Sequence, residues 1–330
     1  GEGTNWKSIK DCGYVSAMGP PGGARSTVDP RFTSMFSVFN IPFPSGASLE
    51  SIFSSMLKRH MEGFQAPLQA AGQKLTGLTL ALYDAVIQAL PPTPSKFHYL
   101  FNLRDLGRIY QGLMLATPDK FENAGQIVRL WRNECTRVIG DRLISQEDRD
   151  FFNEQIGERI RAAFSSDAQA ALVDPMLFGD FRHIMLKGDE DEDGDEAAEE
   201  VALPRLYEDL GTFDVCKEVF ERVLKQYNQK LKPMNLVLFE NALEHLARLE
   251  RVLEMPRGNL LLVGVGGSGK QSLTRLASFA ADCEMFEITL ARGYNETLFR
   301  EDLKRLYAMC GNENKKTVFL FTDAHVVEED

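Results

Sequence analysis

Residues Gly264 to Ser272 read Gly-Val-Gly-Gly-Ser-Gly-Lys-Gln-Ser and carry the spacing G-x-x-x-x-G-K of a phosphate-binding P-loop. Each residue type has a physical use. The glycines let backbone N–H groups curl around phosphate oxygens. A helix beginning at the end of the loop aims its positive end at the same anion. Lys270 supplies a point charge for the β- and γ-phosphates. One position departs from the pattern. A Ser or Thr hydroxyl ordinarily follows the lysine and holds Mg²⁺, but Gln271 stands there, with Ser272 one step later. Either Gln271 offers its amide oxygen to the metal or Ser272 serves through a local shift.

A P-loop needs a second element, a strand that ends in acidic residues beside it. The matching run is Val318-Phe319-Leu320-Phe321-Thr322-Asp323-Ala324. In one alignment Thr322 takes the metal position and Asp323 the water-activating one. In the other, Asp323 is the metal-side carboxylate and Ala324 stands where a catalytic Glu belongs. Either way one acid is present where two are expected, and Glu328 and Glu329 come too late to supply the other. Read plainly, Asp323 could be a turn former; its place after a P-loop favours the site.

The elements that must position these residues are legible from periodicity. Leu260 to Val263 reads as a short buried strand leading into the loop, and Leu273, Leu276, Ala277 and Ala280 mark an amphipathic helix after it. Phe239, Ala242, Leu243, Leu246, Leu249 and Leu253 mark an earlier helix. Residues 206–330 are therefore expected to form a parallel α/β core. Residues 48–165 read as almost wholly helical, broken by Pro91-Pro92-Thr93-Pro94, with Thr117 and Ser145 as N-caps. Ahead of them, Gly13 to Met18 reads as a strand entering a Gly/Pro loop. Residues 188–200 hold nine acidic side chains and no base, which suits a solvated inter-domain loop. Their spacing does not meet that of a calcium-binding helix–loop–helix.

Composition narrows the function classes. A formal net charge of −11 argues against a nucleic-acid binder, and no apolar run is long enough to span a bilayer. Five dispersed cysteines without a C-x-x-C pair fit a reducing compartment and argue against zinc. No signal peptide or initiator Met opens the chain, and both ends read as cuts within a longer protein.

The stretch Gly258 to Ala277, GNLLLVGVGGSGKQSLTRLA, resembles the fourth AAA+ module of axonemal dynein heavy chains, as do Asn235 to Glu240, Arg300 to Leu303 and Phe319 to Asp323. Ala17 to Gly23 and Pro30-Arg31-Phe32 resemble the end of the third module's large subdomain, and Tyr99 to Asp105 its helical small subdomain. The resemblance implies P-loop AAA+ modules of α/β class, each a parallel α/β subdomain with a helical small subdomain and helical linker. The implied division is 1–46 for the end of one α/β subdomain, 47–187 for its helical subdomain, 188–205 for an acidic loop and 206–330 for the start of the next α/β subdomain.

Further roles follow from the resemblance alone. Arg31 falls where an arginine finger serves the preceding module's γ-phosphate. Arg104, or Arg108 one turn on, falls at the position where an Arg reaches its own module's nucleotide. A loop Arg and an ion-paired Arg are the plain alternatives. Gly19 and Pro20 stand where a polar sensor residue is usual, and Ser34-Met35 where a basic pair is usual, so the third module is expected to sense nucleotide poorly or hydrolyse slowly. The implied ligands are ATP or ADP with Mg²⁺, held by Gly264 to Ser272 and Asp323. The implied partners are neighbouring AAA+ modules, with intermediate chains, light chains and microtubules engaged through other parts of the parent, whose coiled-coil stalk and tail lie elsewhere. Cytoplasm and the ciliary or flagellar axoneme are the implied location. A free-standing P-loop ATPase and a nucleotide-free structural segment are the rival readings. The incomplete acidic pair weighs against the first, and the intact Gly-Lys loop against the second.

Overall fold

A computed structural model describes residues 9–19, 27–181, 205–290 and 293–325. The chain divides into two compact units, Gly1–Ser45 and Gly46–Asp330.

In the first unit the described residues form one short helix, α1 (Pro30–Thr33). Asp29 caps it by accepting the Arg31 N–H at 2.8 Å, and Pro30 sits where a missing donor costs nothing. The strand expected over Gly13 to Met18 does not form, and Tyr14, Val15 and Met18 are exposed. A strand needs a neighbour to take its hydrogen bonds, and none pairs with it among the described residues.

The second unit opens with helices α2 (Gly46–His60), α3 (Ala66–Ala89), α4 (Leu103–Leu113), α5 (Ala124–Val138), α6 (Gln146–Ala163) and α7 (Ala168–Ala171). Leu68, Leu75, Leu82, Leu106, Ile109, Leu130 and Trp131 fill their common core. The Trp131 indole N–H donates to Thr79 Oγ1 at 2.8 Å, so the largest core side chain carries no unmet donor. Asn102 caps α4 and Asn123 caps α5, each in a reciprocal capping box with Asp105 and Gln126 respectively. Ser145 caps α6 as expected. Thr117 caps no helix: residues 117–121 make only a turn, and the Thr117 hydroxyl is buried without a hydrogen bond. The box at Asn123 wins because it satisfies donors at both ends of the pair, Gln126 N–H at 3.0 Å and Asn123 N–H at 3.2 Å.

Beyond α7, β1 (Phe178–Gly179) pairs antiparallel with β2 (Glu208–Asp209). Then follow α8 (Phe213–Lys230), α9 (Glu240–Glu254), α10 (Lys270–Ala280), β3 (Glu284–Glu287), α11 (Glu296–Gly311) and β4 (Thr317–Leu320). A second core joins them through Val219, Phe220, Leu243, Leu246, Leu276 and Ala277. β3 and β4 are parallel, with Glu284 opposite Thr317 and Glu287 opposite Leu320. The connection through α11 makes this a βαβ unit of the α/β class. The strand expected at Leu260 to Val263 is absent. This segment is extended coil, with Leu261 89% and Val263 88% exposed. The described strands pair only as β1 with β2 and β3 with β4, so none takes the segment's hydrogen bonds, and only Leu260 and Leu262, each 39% exposed, are partly covered. The acidic run at 188–200 lies outside the described residues, as do Glu328 and Glu329. None of the described helices is long and apolar enough to cross a membrane.

Candidate functional site

The loop from Gly264 to Gly269 delivers the chain into α10, whose first residue is Lys270. Gly267 and Gly269 have φ of +76° and +79°, the left-handed region in which a Cβ clashes with the neighbouring carbonyl. Left-handed residues on both sides of Ser268 are the backbone conformation that anion nests use. Lys270 lies within this curl. Its ammonium donates to Gly264 O at 2.6 Å, Val265 O at 2.8 Å and Ser268 Oγ at 3.4 Å. The loop is thus closed around its own cation, and the unpaired N–H groups of the first turn of α10 open on the same end. A Cβ on Gly266 would meet no atom within 4 Å, so this side of the loop is open.

Gln271 and Ser272 occupy the second and third positions of α10. Gln271 is exposed and Ser272 half-buried. Both offer oxygen donors, which suit the hard Mg²⁺ ion. Thr274, the next hydroxyl residue on the helix, is committed elsewhere, its hydroxyl donating to the Lys270 carbonyl at 2.8 Å.

Topology relates Asp323 to this loop. α10 runs away from the loop, and the chain reverses at Asp282 to enter β3, so the C-terminal end of β3 returns toward the start of α10. Arg275 ties that return with two hydrogen bonds of 2.9 Å to Glu287, which hold its guanidinium above the usual basicity. Because β4 is parallel to β3 and Leu320 lies opposite Glu287, β4 also ends on the loop side. The strand stops at Leu320, and Asp323 opens a short 3-10 turn, Asp323–His325. His325 shapes that turn, since its Nδ1 accepts the Thr322 N–H at 3.1 Å. Sequence reading passed over His325; its spacing of three from Thr322 was the available signal.

Arg31, Arg104 and Arg108 lie on other elements. Arg31 is the second residue of α1 in the first unit and is exposed. Arg104 is the second residue of α4 and is exposed; its backbone N–H is held by the Asn102 cap at 2.8 Å. Arg108 pairs with the buried Asp105 at 3.3 Å, a carboxylate that also takes Arg142 at 3.1 Å.

A charged cluster that sequence reading did not single out begins at Arg251, which lines the same cavity as Gly264, Ser268 and Lys270. Glu134 and Arg251 form a buried pair, with Arg251 Nε donating to Glu134 Oε2 at 2.8 Å and Tyr207 donating to Glu134 at 3.3 Å. Asp180, Glu250 and Glu254 converge nearby, with carboxylate oxygens within 4.8 Å of one another. The signal was Glu250 itself, four residues after Leu246 and seven after Leu243, inside the apolar stripe of α9.

Comparison with known proteins places the chain in a family. Residues 234–330 match the family model of the P-loop containing dynein motor region D4, residues 75–177 that of the AAA+ lid domain, and residues 2–44 that of a P-loop containing dynein motor region. The class is thus the P-loop AAA+ modules of the dynein motor region. The whole chain is 53% identical to human dynein axonemal heavy chain 10 and 54% identical to the dynein-1-alpha heavy chain of the flagellar inner arm I1 complex of Chlamydomonas reinhardtii. With 98% of its length it is 40% identical to rat dynein axonemal heavy chain 5. The chain belongs to the axonemal dynein heavy-chain family, as a segment of its AAA+ ring. It spans 7% of the length of the first two relatives and 9% of the third.

Proposed function

We propose that this chain is a regulatory nucleotide-binding segment of a dynein motor ring, running from the end of the third AAA+ module into the first half of the fourth. The proposed division is 1–46, 47–187, 188–205 and 206–330. The observation that carries the reading is the curled glycine loop, with Lys270 inside it, at the N-terminus of α10. It holds ATP or ADP through the amides of Gly264 to Gly269 and the Lys270 ammonium. Gln271 or Ser272, with Asp323, holds Mg²⁺, which neutralises phosphate charge when bound.

Binding and hydrolysis make different demands on this site. The anion nest and Lys270 suffice for affinity. Turnover also needs metal ligands and a group that orients water, and here Gln271 replaces the hydroxyl and one Asp stands for two acids. Loss of those groups costs rate more than binding. In the whole heavy chain, Arg31 serves the preceding module's nucleotide and Arg104 that of its own module. The parent works as a microtubule motor of the ciliary or flagellar axoneme, with intermediate and light chains bound elsewhere.

The test is nucleotide titration and single-turnover hydrolysis on the intact heavy chain with its other modules disabled. Lys270→Ala is expected to abolish binding at this site. Asp323→Asn is expected to leave affinity nearly unchanged and to remove the residual slow turnover. Turnover near about 1 s⁻¹ or faster, within the range of ordinary enzymes, would overturn the regulatory reading.

A further inference from the structure

At the end of the second core opposite the P-loop, four segments bring charge to one buried point. Glu250 on α9 is wholly buried, and neither of its carboxyl oxygens has a hydrogen-bond donor among the described residues. Facing it is Asp180, just after β1 and 6% exposed. Glu254, one turn along α9, completes the carboxylate group. Arg205 reaches in from the approach to β2, 2.8 Å from Glu254 and 3.6 Å from Asp180, and also binds Asp282. Lys316, at the foot of β4, donates to Glu254 at 2.7 Å. Cys283 lies beside Lys316 and Glu254 in the turn before β3, and Tyr207, bonded to the Glu134–Arg251 pair, also lies near Glu250.

We propose that Glu250 and Asp180 share one proton, and that this carboxyl pair, braced by Arg205, is a proton-dependent clasp joining the helical subdomain to the P-loop subdomain. The charge balance favours a proton. Among the described residues, Asp180, Glu250, Glu254 and the exposed Asp282 face Arg205 and Lys316, so carboxylates outnumber cations and an added proton lowers the excess negative charge. A divalent ion is disfavoured because Arg205 and Lys316 already occupy the Glu254 oxygen and repel it. A shared proton also turns one acid into a donor, which supplies the hydrogen bond that Glu250 lacks. Burial does most to raise the affinity of Glu250 for that proton, followed by its hydrogen bond to Asp180 and the Asp180 and Glu254 charges, with Arg205 opposing.

The sign follows from linkage. The folded state keeps the Glu250 proton to higher pH than the unfolded state, whose glutamate titrates near about 4.3. The folded chain therefore binds more protons above that pH, and the clasp's contribution falls as pH rises through the raised folded value. Glu250→Gln keeps the shape, donates an amide N–H to Asp180 and cannot ionise. Thermal unfolding of the full 330-residue chain between about pH 5 and pH 8 tests this. The wild type is expected to lose midpoint temperature relative to Glu250→Gln as pH rises, with the two converging at the acid end. Infrared difference spectra are expected to show a protonated carboxyl band that Glu250→Gln lacks. Asp180→Asn provides a second arm: without the neighbouring charge, Glu250 is expected to ionise at lower pH, shifting the slope downward. Parallel pH profiles for all three proteins with no carboxyl band, or a rise in midpoint with added Ca²⁺ or Mg²⁺ that Glu250→Gln abolishes, would overturn the proposal.

Discussion

At the scale of single residues, the P-loop glycines are not equivalent, and the backbone says why. Gly269 at φ +79° cannot take a side chain without strain, which for an L-residue costs about 1–2 kcal/mol. Gly269→Ala is therefore expected to turn the nest amides away and weaken nucleotide binding by about tenfold, read by titration against wild type. Gly266→Ala is the contrast, because its Cβ meets open space and its φ is not positive. Its unfolding midpoint is expected to match the wild type. The lysine and glycine spacing was legible in the sequence because a P-loop is local, each residue acting within a few positions of its neighbours. Glu250 was harder to see. Only the packing of Asp180, Arg205 and Lys316 around it turned an acidic residue in an apolar stripe into a buried carboxyl without a donor.

At the scale of elements, caps and close approaches decide where helices start and how tightly they meet. Asn123 holds the start of α5 through a capping box, while the Thr117 hydroxyl is buried with no partner. Asn123→Ala is expected to cost about 1 kcal/mol in denaturant unfolding. Thr117→Val, which replaces an unpaired hydroxyl by a methyl of the same shape, is expected to be neutral or stabilising. Sequence reading chose Thr117 because Pro118 follows it, a valid local signal that the competing Asn123–Gln126 box outweighed. α4 meets α5 at Gly112. A Cβ there would lie 1.6 Å from Glu134 Oε2. Gly112→Ala must displace Glu134 from Arg251, and breaking a buried pair costs about 3–5 kcal/mol. That outweighs the roughly 1 kcal/mol that Ala gains over Gly in a helix. A Gly112→Ala chain as stable as wild type in denaturant titration would show that the pair contributes nothing.

At the scale of the whole molecule, the P-loop and the charged clasp sit at opposite ends of α10 and its sheet, so the two are separable by mutation. Glu250→Gln, acting at the clasp, is expected to leave nucleotide affinity at the Lys270 loop within about twofold, a few tenths of a kcal/mol. The acidic run at 188–200, which cannot bury apolar surface, is expected to be dispensable for that affinity as well. Deleting it and titrating nucleotide on the intact heavy chain checks this, and a loss of tenfold, about 1.4 kcal/mol, would assign the run a specific role.

What the sequence determined by itself was whatever rests on contacts a few residues apart. The helical register of Leu243, Leu246 and Leu249, the cap at Ser145, the proline break at 91–94 and the loop-to-helix turn at Gly269–Lys270 all belong to that range. Tertiary structure decided whatever rests on distant partners. Leu260 to Val263 has the composition of a buried strand, yet the described residues supply no neighbour to take its hydrogen bonds, and it is left as exposed coil. The parallel register of β3 and β4, which brings the turn at Asp323 to the loop end of the sheet, joins residues some thirty positions apart. The carboxyl pair of Asp180 and Glu250 joins segments separated by seventy. Composition cannot announce such pairings, because desolvation and strand pairing depend on which groups arrive from elsewhere in the chain, and only the folded arrangement brings them together.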